Sequence, residues 1–542
     1  MTHPAYPDVV RYHEETKHHL ERYARSPGYM DWGNQPVPFR FYEGVTPLPL
    51  PLLETDPGTT HDDLYQRENN AVWPINRQSI GGFLELSLAI STWKSAGGSR
   101  WALRINPSSG NLHPTEAHPV LPSMDDAAAG VFHYNPFLHA LEPRASLESA
   151  VWDEVTRHFS GEAFLVVLTS IFWRESWKYG ERAFRYCQHD TGHALAALSF
   201  SASLFGWHTR MLDEVSDDDL DTVLGFDKVQ WHGIEREDPE LICVVRPGGT
   251  RSCPHHLPRP FVTACRGMPV TGRPNRLSKE TVTWDIIYET ARLTRAPASE
   301  AASAAYGSRP FRSGAFSPSA PAAMIRGRRS AVSFDDSGSL SRENFLAILD
   351  KTLPRNNHPP FDAVRTAPTT HLLLFVHRVG GMEPGMYFFL RAAEDMTDLR
   401  AAADSDFLWQ EVEPEFPLFL LKPGNFRQTA ALVSCHQDIA GFSAFSLGMI
   451  VRFAESLRNA PWQYRRLFWE TGMIGQVLYL EAEAHDVRGT GIGCFFDDAV
   501  HNLMGLADLS FQSLYHFTIG IPVEDPRLTS FLPYEHLLDR PS

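Results

Sequence analysis

Apolar and polar positions divide the chain into two stretches that repeat one order of elements. Residues 80–94, IGGFLELSLAISTWK, carry apolar residues at helical spacing. The loop NPSSGNLHP (106–114) follows, then a strand at 117–121 and a turn leading to GVFHYNP (130–136). AFLVVLTSIFW (163–173) is continuously apolar and β-branched, the pattern of a buried strand. DTGHALAALSFSASLFG (190–206) is apolar nearly all round, which predicts a buried helix with Asp190 or Thr191 as N-cap and Gly206 near its end. LICVVRP (241–247) closes the stretch as a strand. The order then resumes. A helix is expected near 341–352, strands near 371–377, 386–390 and 430–435, a buried helix at 471–485, and a last strand at 514–522.

The repetition reaches the residue level. Residues from Tyr179 to Asp227 lie without a gap on the stretch that begins at Asn459. A shift of 280 sets Arg185 on Arg465, Thr191-Gly192 on Thr471-Gly472, Asp217-Asp218 on Asp497-Asp498 and Gly225 on Gly505. Solenoid units run about 20–50 residues, so this period reads as a whole domain duplicated and fused. The expected division is an extended Pro- and Tyr-rich arm at 1–60, domains at 61–250 and 325–542, and a linker at 251–324 rich in Pro, Arg, Ser and Ala with one helical insert at 281–293. Strands mixed with long helices give the class α+β, with a helix-flanked antiparallel or mixed sheet in each half.

A chain of 542 residues exceeds one core, in keeping with two domains. Its net charge of −16 argues against nucleic acid or an anionic membrane as the main partner. No apolar run follows a positive N-terminal region, and no stretch reaches the length of a membrane span, so neither a signal peptide nor a membrane segment is expected. Six cysteines without CxxC spacing favour a reduced, cytoplasmic chain.

Three constellations could carry chemistry. Arg328, Arg329 and Ser330 precede a helix; guanidinium forks and a hydroxyl suit a phosphate, although a basic linker end has the same composition. Pro107, Ser108, Ser109, Gly110 and Asn111 offer hydroxyls, an amide and close backbone approach, and equally make an ordinary turn. Lys178 and Tyr179 could manage a proton if burial lowers the lysine, or simply open a solvated helix. His189 and His193 imitate a zinc signature, but the repeat sets Trp469 and Met473 there, and no metal is expected. GTGIGC (489–494) nearly reads as a dinucleotide fingerprint, but a helix precedes it where that motif needs a strand.

PSSGNLHP, RRSAVSFD, the TGHAL and TGMIGQVL helices and GIGCFFD together resemble the nitroreductase superfamily of flavoenzymes, and within it the SagB/ThcOx-type dehydrogenase branch that includes azoline oxidases. The resemblance spans roughly 70–250 and 325–525. It implies FMN held between two such domains, here an intrachain pseudo-dimer compatible with a monomer. It also implies that Arg328, Arg329 and Ser330 hold the phosphate. Pro107, Ser108, Ser109 and Asn111 would form the loop laid against the flavin, Gly491, Ile492 and Gly493 would run along its edge, and Lys178 and Tyr179 would be catalytic. PSSGN and KY occur only in the first copy and RRS and GIG only in the second, so one intact flavin site per chain is expected. The expected activity is two-electron transfer, either oxidation of an azoline-like heterocycle, free or in a peptide, with O2, or reduction of electron-poor compounds with NAD(P)H as a transient donor. A flavin-binding protein without turnover is the alternative from another class, and flavin as the substrate is a third.

Overall fold

The computed structural model describes residues 2–124, 127–248, 253–298, 304, 306–312, 320–364 and 366–538. In the first half, helices α1 (Tyr6–Glu15) and α2 (Arg77–Leu88) are followed by α3 (Phe172–Tyr179) and the long α4 (Ala183–Leu204). Its strands are β1 (Leu48–Pro49), β2 (Ile90–Ala96), β3 (Ser99–Arg104), β4 (Thr115–Leu121), β5 (Gly130–Asn135), β6 (Ala140–Ser146), β7 (Phe164–Ser170), β8 (Trp207–Met211) and β9 (Asp238–Pro247). The second half brings β10 (Thr370–Val376), β11 (Gly385–Phe389), β12 (Gln410–Glu413), β13 (Phe416–Pro423), β14 (Phe445–Arg452), β15 (Arg488–Ile492), β16 (Phe511–Gly520) and β17 (Thr529–Phe531). Its helices include α5 (Arg342–Lys351), α6 (Arg427–Val433) and α7 (Gln463–Ala484).

Two antiparallel seven-stranded sheets result, ordered β1-β6-β5-β4-β7-β9-β8 and β12-β13-β11-β10-β14-β16-β15. From the second strand inward the two orders correspond, β6-β5-β4-β7-β9-β8 with β13-β11-β10-β14-β16-β15; only the edge strand differs, since β1 precedes the rest of its sheet in the chain while β12 falls between β11 and β13. The α+β expectation holds. The last strand crosses over: β17 pairs with β2, and with β3 they form a small third sheet.

Helices α4 and α7 are 22 residues each, and α7 begins and ends 280 residues after α4. They cross at Gly192 and Gly472. A Cβ on Gly192 would overlap the Trp469 carbonyl, and one on Gly472 would overlap the His189 carbonyl, its counterpart in the repeat. Only glycine permits backbones this close. The flanking ion pairs are reciprocal as well. Arg465 donates to Asp217 at 2.7 Å and Arg185 to Asp497 at 2.8 Å, with both pairs buried. Such exchange of contacts is the mark of an isologous interface. A single apolar core running from Phe83 and Phe164 through Leu195, Trp469 and Met473 to Phe517 joins the halves.

Several sequence expectations need correction. The N-terminal segment is not an extended surface arm: α1 buries Val9, Tyr12 and His13, Arg40 is fully buried, and β1 edges the first sheet. The helix expected at 80–94 stops at Leu88, and the β-branched and aromatic residues after it form β2. Residues 430–435 belong to helix α6 and the turn after it; the strand is β14, since a short apolar run does not by itself distinguish the two. Helix α4 starts seven residues before Asp190, so Asp190 and Thr191 lie mid-helix and cap nothing. Its first turns looked polar because Arg185, Gln188 and His189 are buried on distant partners: Asp497, Glu240 and the Leu514 carbonyl. The 251–324 segment contributes helices at Arg259–Gly267 and Asp285–Leu293, and Pro321–Gly327 begins within it. Half of its APASEAASAAYGSRPFRSGAFSPSAP run lies outside the described residues.

Candidate functional site

Two adjoining cavities open between the halves, of about 340 and 270 Å3, sharing Pro107, Ser108 and Ser330 in their walls. The first is basic, lined by Lys94, Arg104, Arg328, Arg329 and Arg488 against Glu524 and Asp525. The second is lined by Ser109, Gly110, Tyr179, Tyr186, Asp190 and His193 from the first half, and by Tyr479, Gly491, Ile492, Gly493, Cys494 and Tyr515 from the second. Eleven of the twelve sequence-predicted site residues line these cavities, supplied by both halves; the twelfth, Lys178, lines neither and packs behind the loop at Gly110.

Ser330 is set by β15: it bridges Gly489, and the Ala331 N–H donates to the Gly489 carbonyl at 3.1 Å. Ser330 Oγ and the Tyr479 hydroxyl are 2.9 Å apart, and Tyr479 accepts the Gly491 N–H at 3.0 Å. Arg328 is buried over the Tyr479 ring, donates to the Arg104 carbonyl at 3.0 Å, and keeps a buried Nε with no partner in the protein. Arg329 spends its guanidinium on Ser91 and the carbonyls of Arg326 and Arg328. Burial lowers both arginines, Arg329 to about 10 with the charge of Arg328 adding to the effect, so an anion placed between them would be stabilised by both. The backbone of Gly491 and Gly493 lies bare to the cavity because a Cβ on either would overlap Tyr515 or Tyr186.

The opposite wall is a loop built on positive φ at Gly110, Asn111 and His113. Asn111 ties it to the Ala102 carbonyl at 2.9 Å, and Ser108 accepts the His113 N–H at 2.8 Å. Its anchor is Asp190, which accepts the Ser109 N–H at 3.1 Å and the Ser109 hydroxyl at 3.2 Å. Burial pushes this carboxyl up to about 7, against the hydrogen bonds from Ser108 and Ser109. Lys178 and Tyr179, at the end of α3, pack on the same loop: Lys178 Nζ lies 3.1 Å from where a Cβ on Gly110 would stand. Beneath them the buried Glu175 carboxyl has no hydrogen-bond partner, and burial together with the charge of Asp190 holds it well above the ordinary range.

A solved structure of a candidate nitroreductase from Anabaena variabilis aligns over 95% of this chain and 99% of its own, with a TM-score of 0.68 and 20% identity. The chain has the nitroreductase fold. Two further solved structures align with parts of it. One is the Escherichia coli microcin synthetase McbBCD complex with truncated pro-MccB17, with a TM-score of 0.28 and 18% identity over 36% of this chain and 69% of that one. The other is the NADPH:FMN oxidoreductase of Vibrio harveyi complexed with NAD+, with a TM-score of 0.24 and 14% identity over 41% and 76%. Likenesses that low bear no further weight. No protein-family model and no curated protein matches the sequence.

Within the nitroreductase fold, β8 has the place in the first sheet that β15 has in the second. Beside β8, Arg67 donates to Asp362 at 3.0 Å and meets His208 at 2.8 Å. The two sides of the interface therefore differ in content while sharing a frame. His189 and His193 bond unrelated partners, the Leu514 carbonyl for one and Gln476 with Tyr515 for the other. Among the described residues no cluster of His, Cys, Asp and Glu is arranged to hold a metal, and no helix is long and apolar enough to cross a membrane. Sequence reasoning missed Asp190, Tyr479 and Tyr515. For the first two a signal existed: the shift of 280 sets Asp190 on Glu470, an acidic position kept in both otherwise apolar helices, and Tyr479 on Ser199, where the copies differ.

Proposed function

We propose that this protein is an FMN-dependent oxidoreductase with one composite flavin site per chain. The observation that carries the reading is the convergence of two complementary half-sites on one cleft: RRS and the bare glycine edge from the second half, the PSSGN loop and Lys178-Tyr179 from the first. The cleft falls in the size range of small-ligand sites, about 300–1,000 Å3. The orphaned Arg328 Nε and the glycine edge fit a phosphorylated, flat ligand.

Arg328, Arg329 and Ser330 hold the phosphate, while Pro107, Ser108, Ser109 and Asn111 bear on the ring system from the other side. Gly491, Ile492 and Gly493 present backbone groups to its edge. FMN, when bound, supplies a two-electron carrier. Lys178 and Tyr179 then move a proton to or from the substrate, and Asp190 keeps their loop in place. The pair's position against Gly110 supports oxidation of an azoline-like heterocycle, free or within a peptide, with O2 as acceptor; NAD(P)H-driven reduction of electron-poor compounds uses the same site. The matching sheets, the crossing of α4 on α7 and the reciprocal ion pairs support a tandem duplication, with domains at 61–250 and 325–542 forming an intrachain pseudo-dimer; cysteines without CxxC spacing favour the reducing cytoplasm as its place.

The test is flavin content and its reduction in purified protein. Arg328→Ala and Ser109→Ala are expected to lose bound FMN, whereas Lys178→Ala keeps it and loses turnover. Full occupancy in both of the first two variants would sink the composite site. Rapid anaerobic bleaching by NADPH would select the reductive reading, and a flavin that neither NADPH nor heterocycle reduces would leave a binding protein.

A further inference from the structure

Cys435 and Cys494 come from separate segments of the second half that are stitched together beside the cleft. The Phe496 N–H donates to the Val433 carbonyl at 2.8 Å, and the Gln437 side-chain amide donates both to the Ser434 carbonyl at 2.9 Å and to the Cys494 carbonyl at 3.1 Å. This stitching, with the His436 and Phe496 rings 5.4 Å apart, sets Cys435 and Cys494 on facing segments, near enough for each thiol to perturb the other. Cys435 and His436 reach that position with φ of 56° and 58°, the left-handed region that non-glycine residues avoid, so the turn is held against its backbone preference. Both thiols are partly exposed, unlike the buried Cys187, Cys243 and Cys265. Cys494 lines the cavity directly after Gly491–Gly493. The neighbouring Cys435 thiol holds Cys494 below the ordinary thiol range despite burial. The Arg182 guanidinium, which donates to the Gly493 carbonyl at 3.3 Å, acts in the same direction. Cys494 is thus the sulfur that faces the cavity, with the Cys435 thiol behind it on the facing segment.

We propose that Cys435 and Cys494 are a redox-active dithiol that exchanges two electrons with the flavin in the adjoining cavity, a second redox centre in the same site. This rests on the FMN reading. On oxidation both S–H bonds break and one S–S bond forms between Cys435 and Cys494; the two electrons and two protons reduce FMN to FMNH2. The reverse step opens the disulfide at the expense of FMNH2.

Anaerobic dithionite titration of the diamide-oxidised holoprotein tests this. The wild type is expected to take up four electrons per FMN, and Cys435→Ser and Cys494→Ser two each. Peptide mapping after diamide and alkylation is expected to recover Cys435 and Cys494 in one linked pair. Bound FMN with an uptake of two electrons in the wild type, or with both thiols alkylated after diamide, overturns the dithiol and leaves the flavin reading intact. Purified protein with no FMN, and none taken up on reconstitution, overturns both.

Discussion

Asp190 shows how much a single buried carboxyl decides. It holds the PSSGN loop through the Ser109 N–H and hydroxyl, and burial raises it to about 7. In the unfolded chain an aspartate titrates near 3.9. The folded state therefore binds this proton more tightly, so its contribution to stability is complete below about pH 4 and is lost as pH rises toward 7. Asp190→Asn keeps an acceptor for Ser109 and removes the titration. Relative to the variant, the wild type is expected to lose on the order of a few kcal/mol of unfolding free energy between pH 4 and pH 7, measured by urea denaturation. Glu240, which burial also raises to about 7, titrates in both proteins and cancels in the difference. Parallel stability profiles would show that folding leaves the Asp190 carboxyl in its ordinary range.

Among elements, the crossing of α4 on α7 tolerates least. Gly472→Ala puts a methyl group into the His189 carbonyl and should destabilise by about 1–3 kcal/mol or more, whereas Gly267→Ala, whose Cβ would meet nothing within 4 Å, serves as the control. Equal urea midpoints for the two variants would mean the helices can separate without cost. Helices α4 and α7 and strands β7, β9, β10 and β16 were legible because long apolar runs bounded by polar loops have few alternatives. Short elements were not. TAALV reads as either type, and the first turns of α4 hid their burial behind Arg185, Gln188 and His189, whose partners lie on remote strands and helices. The site was legible at its motifs, RRS, PSSGN, KY and GIG. Tyr515 was not, because nothing local distinguishes a tyrosine that supports a cavity wall from one that fills a core.

At the scale of the molecule the two sides of one interface are unequal. Ser330 stands beside β15 with open space next to it, while beside β8 Arg67 is held between Asp362 and His208. Flavin analysis of the reconstituted protein should therefore give one FMN per chain, and a ratio near two would require Arg67 to give way. The ends of the chain reinforce the joint, since β17 completes a sheet begun by β2 and His18 bridges Phe496. The reciprocal Arg–Asp pairs carry a consequence for inheritance. When two identical chains associate, every substitution enters both clefts at once, and a residue useful in one must be tolerable in the other. On a single chain Arg185–Asp497 and Arg465–Asp217 are separately encoded, so one cleft can specialise while the other becomes scaffolding.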